Sequence, residues 1–136
     1  MILPRERSRL TADPLAALLR GEYLDSETGT AVGVQTRALA IENSLAGSEA
    51  ELVAGLGFGR TLAVVSDRIT HEVLGGRIER ALDGRHRVQS IVLDRDVHPD
   101  QETVDVVRAA TGAADAFIAV GSGTINDLTK YASASA

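Results

Sequence analysis

The residues best suited to chemistry lie near the end of the chain, where a short apolar run meets a glycine-rich turn. Residues 116–120 are Ala-Phe-Ile-Ala-Val, and Gly121, Ser122 and Gly123 follow directly. Such a run is typical of a buried strand, and the glycines allow a sharp turn and close approach to a ligand. A helix-compatible segment starts at Thr124, and the first N–H groups of a helix favour an anion. The pattern predicts a phosphate-binding turn, although steric need alone also explains glycine at such a connection.

A second candidate is Asp67, which follows the apolar run 62–65 and Ser66. A carboxylate at the end of a parallel strand can accept hydrogen bonds from both hydroxyls of an adenosine ribose. The alternative is an acid that caps the start of a helix. Asp127 lies one helical turn after Thr124, so it either favours the positive end of that helix or holds a substrate hydroxyl.

These candidates need secondary-structure elements that bring them to one edge of a sheet. Apolar strands are predicted over 36–42, 61–65, 88–93 and 116–120, separated by helical segments. Strands that alternate with helices predict an α/β fold of Rossmann-like type: a mostly parallel sheet with helices on both faces. Ligands bind beyond the carboxyl ends of the strands in such folds. The sequence therefore predicts that Asp67 and the glycine turn share a site.

The chain divides by pattern into an arm and a domain. Residues 1–35 are predicted to form an N-terminal arm with a short helix after Asp13, followed by either a hairpin or a loose segment. Residues 36–136 are predicted to form the nucleotide-binding α/β domain. Within it, Ser48 and Glu51 have the spacing of a capping box at a helix start.

Composition excludes several classes of function. The 136 residues contain no cysteine, carry a net charge of −5 and include only 3% aromatic residues. These values argue against a disulfide framework, a thiolate metal site, and nucleic acid or an anionic membrane as partner. The absence of cysteine fits a cytoplasmic protein, which is the expected location, and no apolar run is long enough to span a bilayer. His71, His86 and His98 lack metal-ligand spacing and are expected at the surface, and no complete catalytic set is found.

Residues 120–133, with the sequence VGSGTINDLTKYAS, closely resemble the glycine-rich motif of bacterial sn-glycerol-1-phosphate dehydrogenases. Those enzymes are grouped with iron-containing alcohol dehydrogenases, glycerol dehydrogenase and 3-dehydroquinate synthase. Segments 36–42, 52–57 and 62–74 occur in the family's order and spacing, so that the resemblance covers residues 20–136. It implies the dehydroquinate synthase-like N-terminal domain, and no helical metal domain lies within the 136 residues.

The resemblance also implies roles for individual residues. Asp67 would contact the adenosine ribose of NAD or NADP, and Asp127 would lie near the substrate and the nicotinamide. The cofactor diphosphate would rest on a set of residues at the turn: Gly121, Ser122, Gly123, Thr124 and Ile125. Arg68, beside Asp67, leaves the choice between NAD and NADP open.

The implied reaction is the NAD(P)-linked interconversion of dihydroxyacetone phosphate and sn-glycerol 1-phosphate. In the complete enzyme an aspartate and two histidines of the helical domain would bind zinc or nickel. The chain alone is therefore expected to bind NAD(H) weakly, to have no catalytic or metal-ligating residue, and to be inactive. The expected ligand is a phosphorylated polyol, with a homodimer as an option. Alternatives are a relative of glycerol dehydrogenase or 3-dehydroquinate synthase, or a non-catalytic oligomerising nucleotide-binding module.

Overall fold

The computed structural model describes residues 13–94 and 96–134. These residues belong to two compact units, which divide between Asn43 and Ser44. The first twelve residues of the predicted arm lie outside the described residues.

The N-terminal unit contains one short helix and one hairpin. Helix α1 (Pro14–Arg20) is capped by Asp13, whose side chain accepts a hydrogen bond from the Leu15 N–H. Strands β1 (Tyr23–Leu24) and β2 (Ala31–Val32) pair antiparallel, so the hairpin alternative is confirmed. In the turn between them, Asp25 Oδ1 accepts hydrogen bonds from the Glu27 and Thr28 N–H groups and the Thr28 hydroxyl.

Residues 36–42 are neither strand nor helix and are exposed, so the strand predicted there is wrong. Alternating apolar residues such as Leu39 and Ile41 gave the pattern, but these two side chains are 51% and 72% exposed. Among the described residues no strand pairs with this segment, and a strand requires a hydrogen-bonded partner.

The second unit is built on a three-stranded parallel sheet with the order β4-β3-β5. Strand β3 (Thr61–Asp67) lies in the centre, between β4 (Arg87–Leu93) and β5 (Ala116–Val120). Residues 62–66 of β3 are fully buried, as expected for a central strand covered on both faces. The observed bounds agree with the predicted apolar runs within two residues.

Helices cover both faces of the sheet. Ala63 and Val65 of β3 pack with α5 (Gln101–Thr111) and α6 (Gly123–Ser133). The alternate residues of β3, Leu62 and Val64, pack on the opposite face against residues of the helical segment 68–82. Successive strand side chains point to opposite faces, so one strand serves two cores. This architecture confirms the predicted α/β fold.

The helical segment after β3 changes its winding along its length. It starts as α3 (Arg68–Thr70), continues as a π-helical turn (His71–Gly75) and ends as α4 (Gly76–Leu82). It therefore begins directly after Asp67, with no connecting loop between β3 and α3.

Helix α2 (Glu49–Ala54) starts where predicted, but the predicted capping box is absent. The Ser48 hydroxyl donates to the Leu45 carbonyl instead of accepting at the helix start. The neighbouring Glu49 is buried: its Oε2 accepts from the Gly47 N–H, and its Oε1 lies 2.6 Å from Arg77 Nε. None of the helices among residues 13–94 and 96–134 has the length and apolar character of a membrane span.

Candidate functional site

The candidate site lies at the edge of the sheet where the three strands end, called here the carboxyl edge. In the parallel register, Ser66 of β3 is the partner of Val120 of β5. Asp67 and Gly121, the next residue of each chain segment, therefore lie level with one another on neighbouring strands. Such strands are about 4.8 Å apart. The structure brings together the two groups that the sequence analysis assigned to one site.

The turn after β5 is open to solvent and sterically specific. Gly121, Ser122 and Gly123 are all exposed. A Cβ on Gly121 would lie 2.9 Å from Ile125 Cγ1, and Ile125 is buried at 1% exposure. Glycine is thus required at 121 because of the space that Ile125 occupies. At Gly123 a Cβ would meet no atom within 4 Å.

Helix α6 begins at this turn without a side-chain cap. Ser122 occupies the N-cap position with an extended backbone, but its side chain makes no capping hydrogen bond. Helix α5, by contrast, is capped by Asp100, whose Oδ1 accepts from the Thr103 N–H. The first N–H groups of an uncapped helix carry partial positive charge and lack intrahelical acceptors. The α6 start is therefore chemically suited to an anion.

Asp67 has a structural role at the same edge. Its Oδ1 accepts from the Thr70 N–H at 2.8 Å, and the Thr70 hydroxyl accepts from the Asp67 N–H at 3.0 Å. This capping box fixes the start of α3, so the helix-capping interpretation of this aspartate is confirmed. The other carboxylate oxygen, Oδ2, makes no hydrogen bond to a described residue, and the side chain is only half-buried.

A third strand end contributes a residue that the sequence analysis missed. Asp94 follows β4 directly, and its Oδ1 lies 2.9 Å from Arg68 Nη2. The sequence pattern that drew attention to Asp67, an acidic residue directly after an apolar strand, also occurs at Leu93-Asp94 and could have identified Asp94. The ion pair directs the Arg68 guanidinium toward β4, although both side chains remain largely exposed.

A small apolar cavity of about 250 Å³ lies beside the glycine turn. It is formed by one side of the helical segment after β3 and by the end of β5, and its lining residues are Ile69, Thr70, Val73, Leu74, Val120 and Gly121. Ile69 and Val73 are 54% and 76% exposed. Exposed aliphatic side chains beside polar groups are typical of a ligand surface.

Asp127 lies apart from this cavity. Its exposed side chain lines an open groove of about 610 Å³ along the end of α6, together with Lys130 and Tyr131. It also lines a cavity of about 240 Å³ between α6 and the start of α5, which includes Asp100. Asp127 and Lys130 form no ion pair with each other. The structure therefore places Asp127 near the turn, but on the side of α6 that faces α5.

The histidines are less exposed than expected. His71 is half-buried, and its Nε2 lies 3.2 Å from Glu79 Oε2, while His86 Nδ1 lies 3.1 Å from the Gly59 carbonyl oxygen. The prediction of surface positions therefore holds only for His98. Within residues 13–94 and 96–134, no three His, Cys, Asp or Glu side chains converge in a way that could hold a metal ion.

Comparison with known proteins gives a match at the level of a protein family. A family model described as iron-containing alcohol dehydrogenase matches residues 40–136, which include the whole parallel sheet and its helices. The comparisons with curated proteins and with solved structures yielded no match.

Proposed function

The chain belongs to the iron-containing alcohol dehydrogenase family, and from this premise we propose that its sheet unit binds the NAD(H) of an oxidoreductase. The substrate pair is dihydroxyacetone phosphate and sn-glycerol 1-phosphate, which residues 120–133 favour by their resemblance to those dehydrogenases. The observation that carries the proposal is the uncapped start of α6 beside the half-buried Asp67 at one edge of the sheet.

The diphosphate is assigned to the α6 start. The backbone N–H groups of Gly123, Thr124 and Ile125 belong to the first helical turn, and the side chain of the N-cap residue Ser122 does not cap them. Diphosphate oxygens accept hydrogen bonds from such groups and interact favourably with the helix dipole. Gly121 and Gly123 let the backbone approach closely, and the Ser122 hydroxyl is a further donor at this turn.

The adenosine half of the cofactor is assigned to the β3 end. Asp67 Oδ2 accepts from a ribose hydroxyl, while Oδ1 continues to cap α3. The apolar cavity that includes Ile69 and Val73 offers contacts to the base. We assign NAD rather than NADP, because the Asp67 charge repels a 2′-phosphate and Arg68 is already paired with Asp94.

The substrate side of the site rests on Asp127. Its carboxylate lines the groove along α6 with Lys130, an arrangement that offers an acceptor for a polyol hydroxyl and a cation for a phosphate. In a nicotinamide-dependent dehydrogenase, the protein supplies binding and orientation and the cofactor supplies hydride transfer. The zinc or nickel that the resemblance implies for the complete enzyme finds no ligand set among the described residues, so no step is assigned through it. This chain alone is accordingly proposed to bind NADH without turnover.

The test is a titration of the purified chain with NADH, followed by fluorescence and by calorimetry. Saturable binding with a dissociation constant on the order of 1 mM or tighter is expected. In Gly123→Ala, the added methyl meets no protein atom, so the fold is retained, but it obstructs the diphosphate and weakens binding roughly tenfold.

The matched control is Gly55→Ala. Gly55 ends α2 in a helical conformation, and its Cβ would make only ordinary contacts. Unchanged NADH affinity is expected there. A folded Gly123→Ala protein with undiminished affinity would contradict the diphosphate assignment, and the absence of saturable binding in the parent chain would contradict the cofactor proposal as a whole.

A further inference from the structure

A second cavity lies at the opposite end of the sheet, where β3 and β4 begin, called here the amino edge. Arg60 directly precedes β3, and residues 83–86 connect α4 to β4. The Arg87 N–H donates to the Arg60 carbonyl oxygen at 2.8 Å, and Thr61 is the register partner of Arg87. The two strand starts therefore hold Arg60 and Arg87 side by side on adjacent backbones.

The cavity is polar and basic. It has a volume of about 560 Å³ and is lined by Arg60, Thr61 and residues 83–87, a set that includes three arginines, His86 and Asp83. The lining residues carry three guanidinium groups and one carboxylate, and two further carboxylates lie beside them: Glu51, which is paired with Arg85, and Asp115, which accepts from the Thr61 N–H. The whole chain carries a net charge of −5, whereas the lining of this cavity contains more cationic than anionic side chains.

The fold uses only part of this charge. Arg85 Nη1 lies 2.9 Å from Glu51 Oε1, and the negative C-terminal end of α4 favours a nearby cation. Arg60 and Arg87 form no ion pair with any described residue, and both are exposed. His86 donates from Nδ1 to the Gly59 carbonyl oxygen, which leaves Nε2 on the other side of the ring. The guanidinium groups of Arg60 and Arg87 therefore remain for a ligand.

We propose that the amino edge binds a phosphate dianion, free or as the monoester of a small metabolite. A guanidinium group presents paired N–H donors that match two phosphate oxygens, and two such groups on adjacent strands can each bind one pair. The cavity is large enough to hold an organic group beside the phosphate.

This inference is independent of the cofactor site. Strand β3 has seven residues, and at about 3.3 Å per residue the two sheet edges are roughly 20 Å apart. Each site can therefore be tested, and can fail, without the other.

The first experiment uses the unmodified chain labelled with ¹⁵N. Inorganic phosphate and glucose 6-phosphate are titrated separately at constant ionic strength, and amide chemical shifts are followed by NMR. We expect saturable shifts at Thr61, Gly84 and His86, with a dissociation constant on the order of 1 mM. Either probe saturating there supports the site, and the tighter of the two identifies the source of the phosphate.

Substitutions then separate specific recognition from general charge. The double variant R60A/R87A should lose about tenfold or more in phosphate affinity, and R60K/R87K, which keeps the charge but not the paired donors, should lose several-fold. Arg80→Ala is the control, since Arg80 is an exposed arginine of α4 that does not line the cavity. Its affinity should stay within about twofold of the parent.

Three outcomes would overturn the proposal. One is a set of shifts spread over the surface that never saturates, and another is an equal loss of affinity in Arg80→Ala. The third is tight binding of a single-stranded oligonucleotide at this edge with no response to either phosphate probe, which would indicate a nucleic-acid surface. The NMR result on the parent chain decides the question even where a variant does not fold.

Discussion

The two edges of one small parallel sheet differ in charge and in the way their backbones are fixed. At the carboxyl edge the strands lead into helix starts, and at the amino edge helix α4 ends before β4 begins. The carboxyl edge combines an uncapped helix start, a half-buried aspartate and an apolar cavity. The amino edge combines a polar cavity with three arginines.

This difference follows from chain direction in a parallel sheet. All strands end at the same edge, so the positive helix starts gather there, and the negative helix ends gather at the other. Backbone dipoles therefore supply positive charge at the carboxyl edge, where the N–H groups of α6 are uncapped. At the amino edge they supply negative charge, so any anion site must be built from side chains. The proposed anion site at the carboxyl edge thus binds through backbone N–H groups, and the one at the amino edge binds through arginine side chains.

The largest effect on stability is expected from replacing one glycine at each edge of the sheet, Gly121 at the carboxyl edge and Gly84 at the amino edge. Gly121→Ala places a Cβ 2.9 Å from the buried Ile125, and the resulting overpacking should lower the free energy of unfolding by about 2 kcal/mol. Gly84→Ala meets no atom but must adopt a φ of +84°, which costs about 1 kcal/mol.

Urea denaturation measures both changes. Gly84→Asn should recover most of the stability lost in Gly84→Ala, because asparagine tolerates the left-handed region. Gly121→Asn should recover none, because the restriction at 121 is one of space. If asparagine recovered stability equally at both positions, the proposed difference, a backbone restriction at 84 and a steric restriction at 121, would be wrong.

A new cap on α6 should weaken NADH binding by about tenfold or more. In Ser122→Asp the carboxylate competes for the first helical N–H groups and repels the diphosphate, while the helix gains about 0.5 kcal/mol of stability. Ser122→Asn supplies a similar cap without charge and should weaken binding less. The measurement is calorimetric titration at low and high salt, and equal affinities for the two variants would argue against an anion at this helix start.

Asp67→Asn should weaken NADH binding about fivefold while leaving stability almost unchanged. Asparagine caps a helix as well as aspartate does, but it binds a ribose hydroxyl less strongly because it carries no charge. The same variant should bind NADPH relatively better and should leave phosphate binding at the amino edge unaltered. A large loss of stability, detected by thermal denaturation, would mean that the capping charge itself is needed.

The smallest effect concerns the capped helix α5. The hydrogen bond from the Thr103 N–H, with a further contribution from the Thr103 side chain, holds the pKa of Asp100 below its usual value of 3.8. The folded state therefore prefers the ionised form: its stabilising contribution is complete above pH 3.8 and is lost as the pH falls through the lower folded pKa. Urea midpoints between about pH 5 and pH 3 should fall less in Asp100→Asn than in the parent. Parallel pH profiles would contradict this.

Most of the sheet unit could be predicted because burial dictates its pattern. The runs 61–65 and 116–120 are continuous and apolar, and both are strands, with β3 buried on both faces. The proximity of Asp67 and Gly121 followed from topology, since parallel strands end at one edge. The family match over residues 40–136 agrees with the resemblance at the level of the superfamily.

The features that the sequence analysis predicted wrongly or missed all depend on residues that are distant in sequence. Ser48 and Glu51 have capping-box spacing, yet the Ser48 hydroxyl donates to the Leu45 carbonyl and the Glu51 carboxylate pairs with Arg85, 34 positions away. Residues 36–42 alternate like a strand but pair with no strand within residues 13–94 and 96–134. The basic cavity was missed because Arg60 and Arg87 are 27 positions apart and meet only through strand register.

The π-helical turn at His71–Gly75 makes tolerance of deletions uneven along its segment. A π turn closes its hydrogen bonds over one residue more than an α turn, so loss of one residue there can be absorbed by reversion to α geometry. Loss of one residue from Gly76–Leu82 would instead rotate the remainder of the helix by about 100° and swing Leu82 out of the core. Natural length variation in this connection should therefore concentrate within residues 71–75.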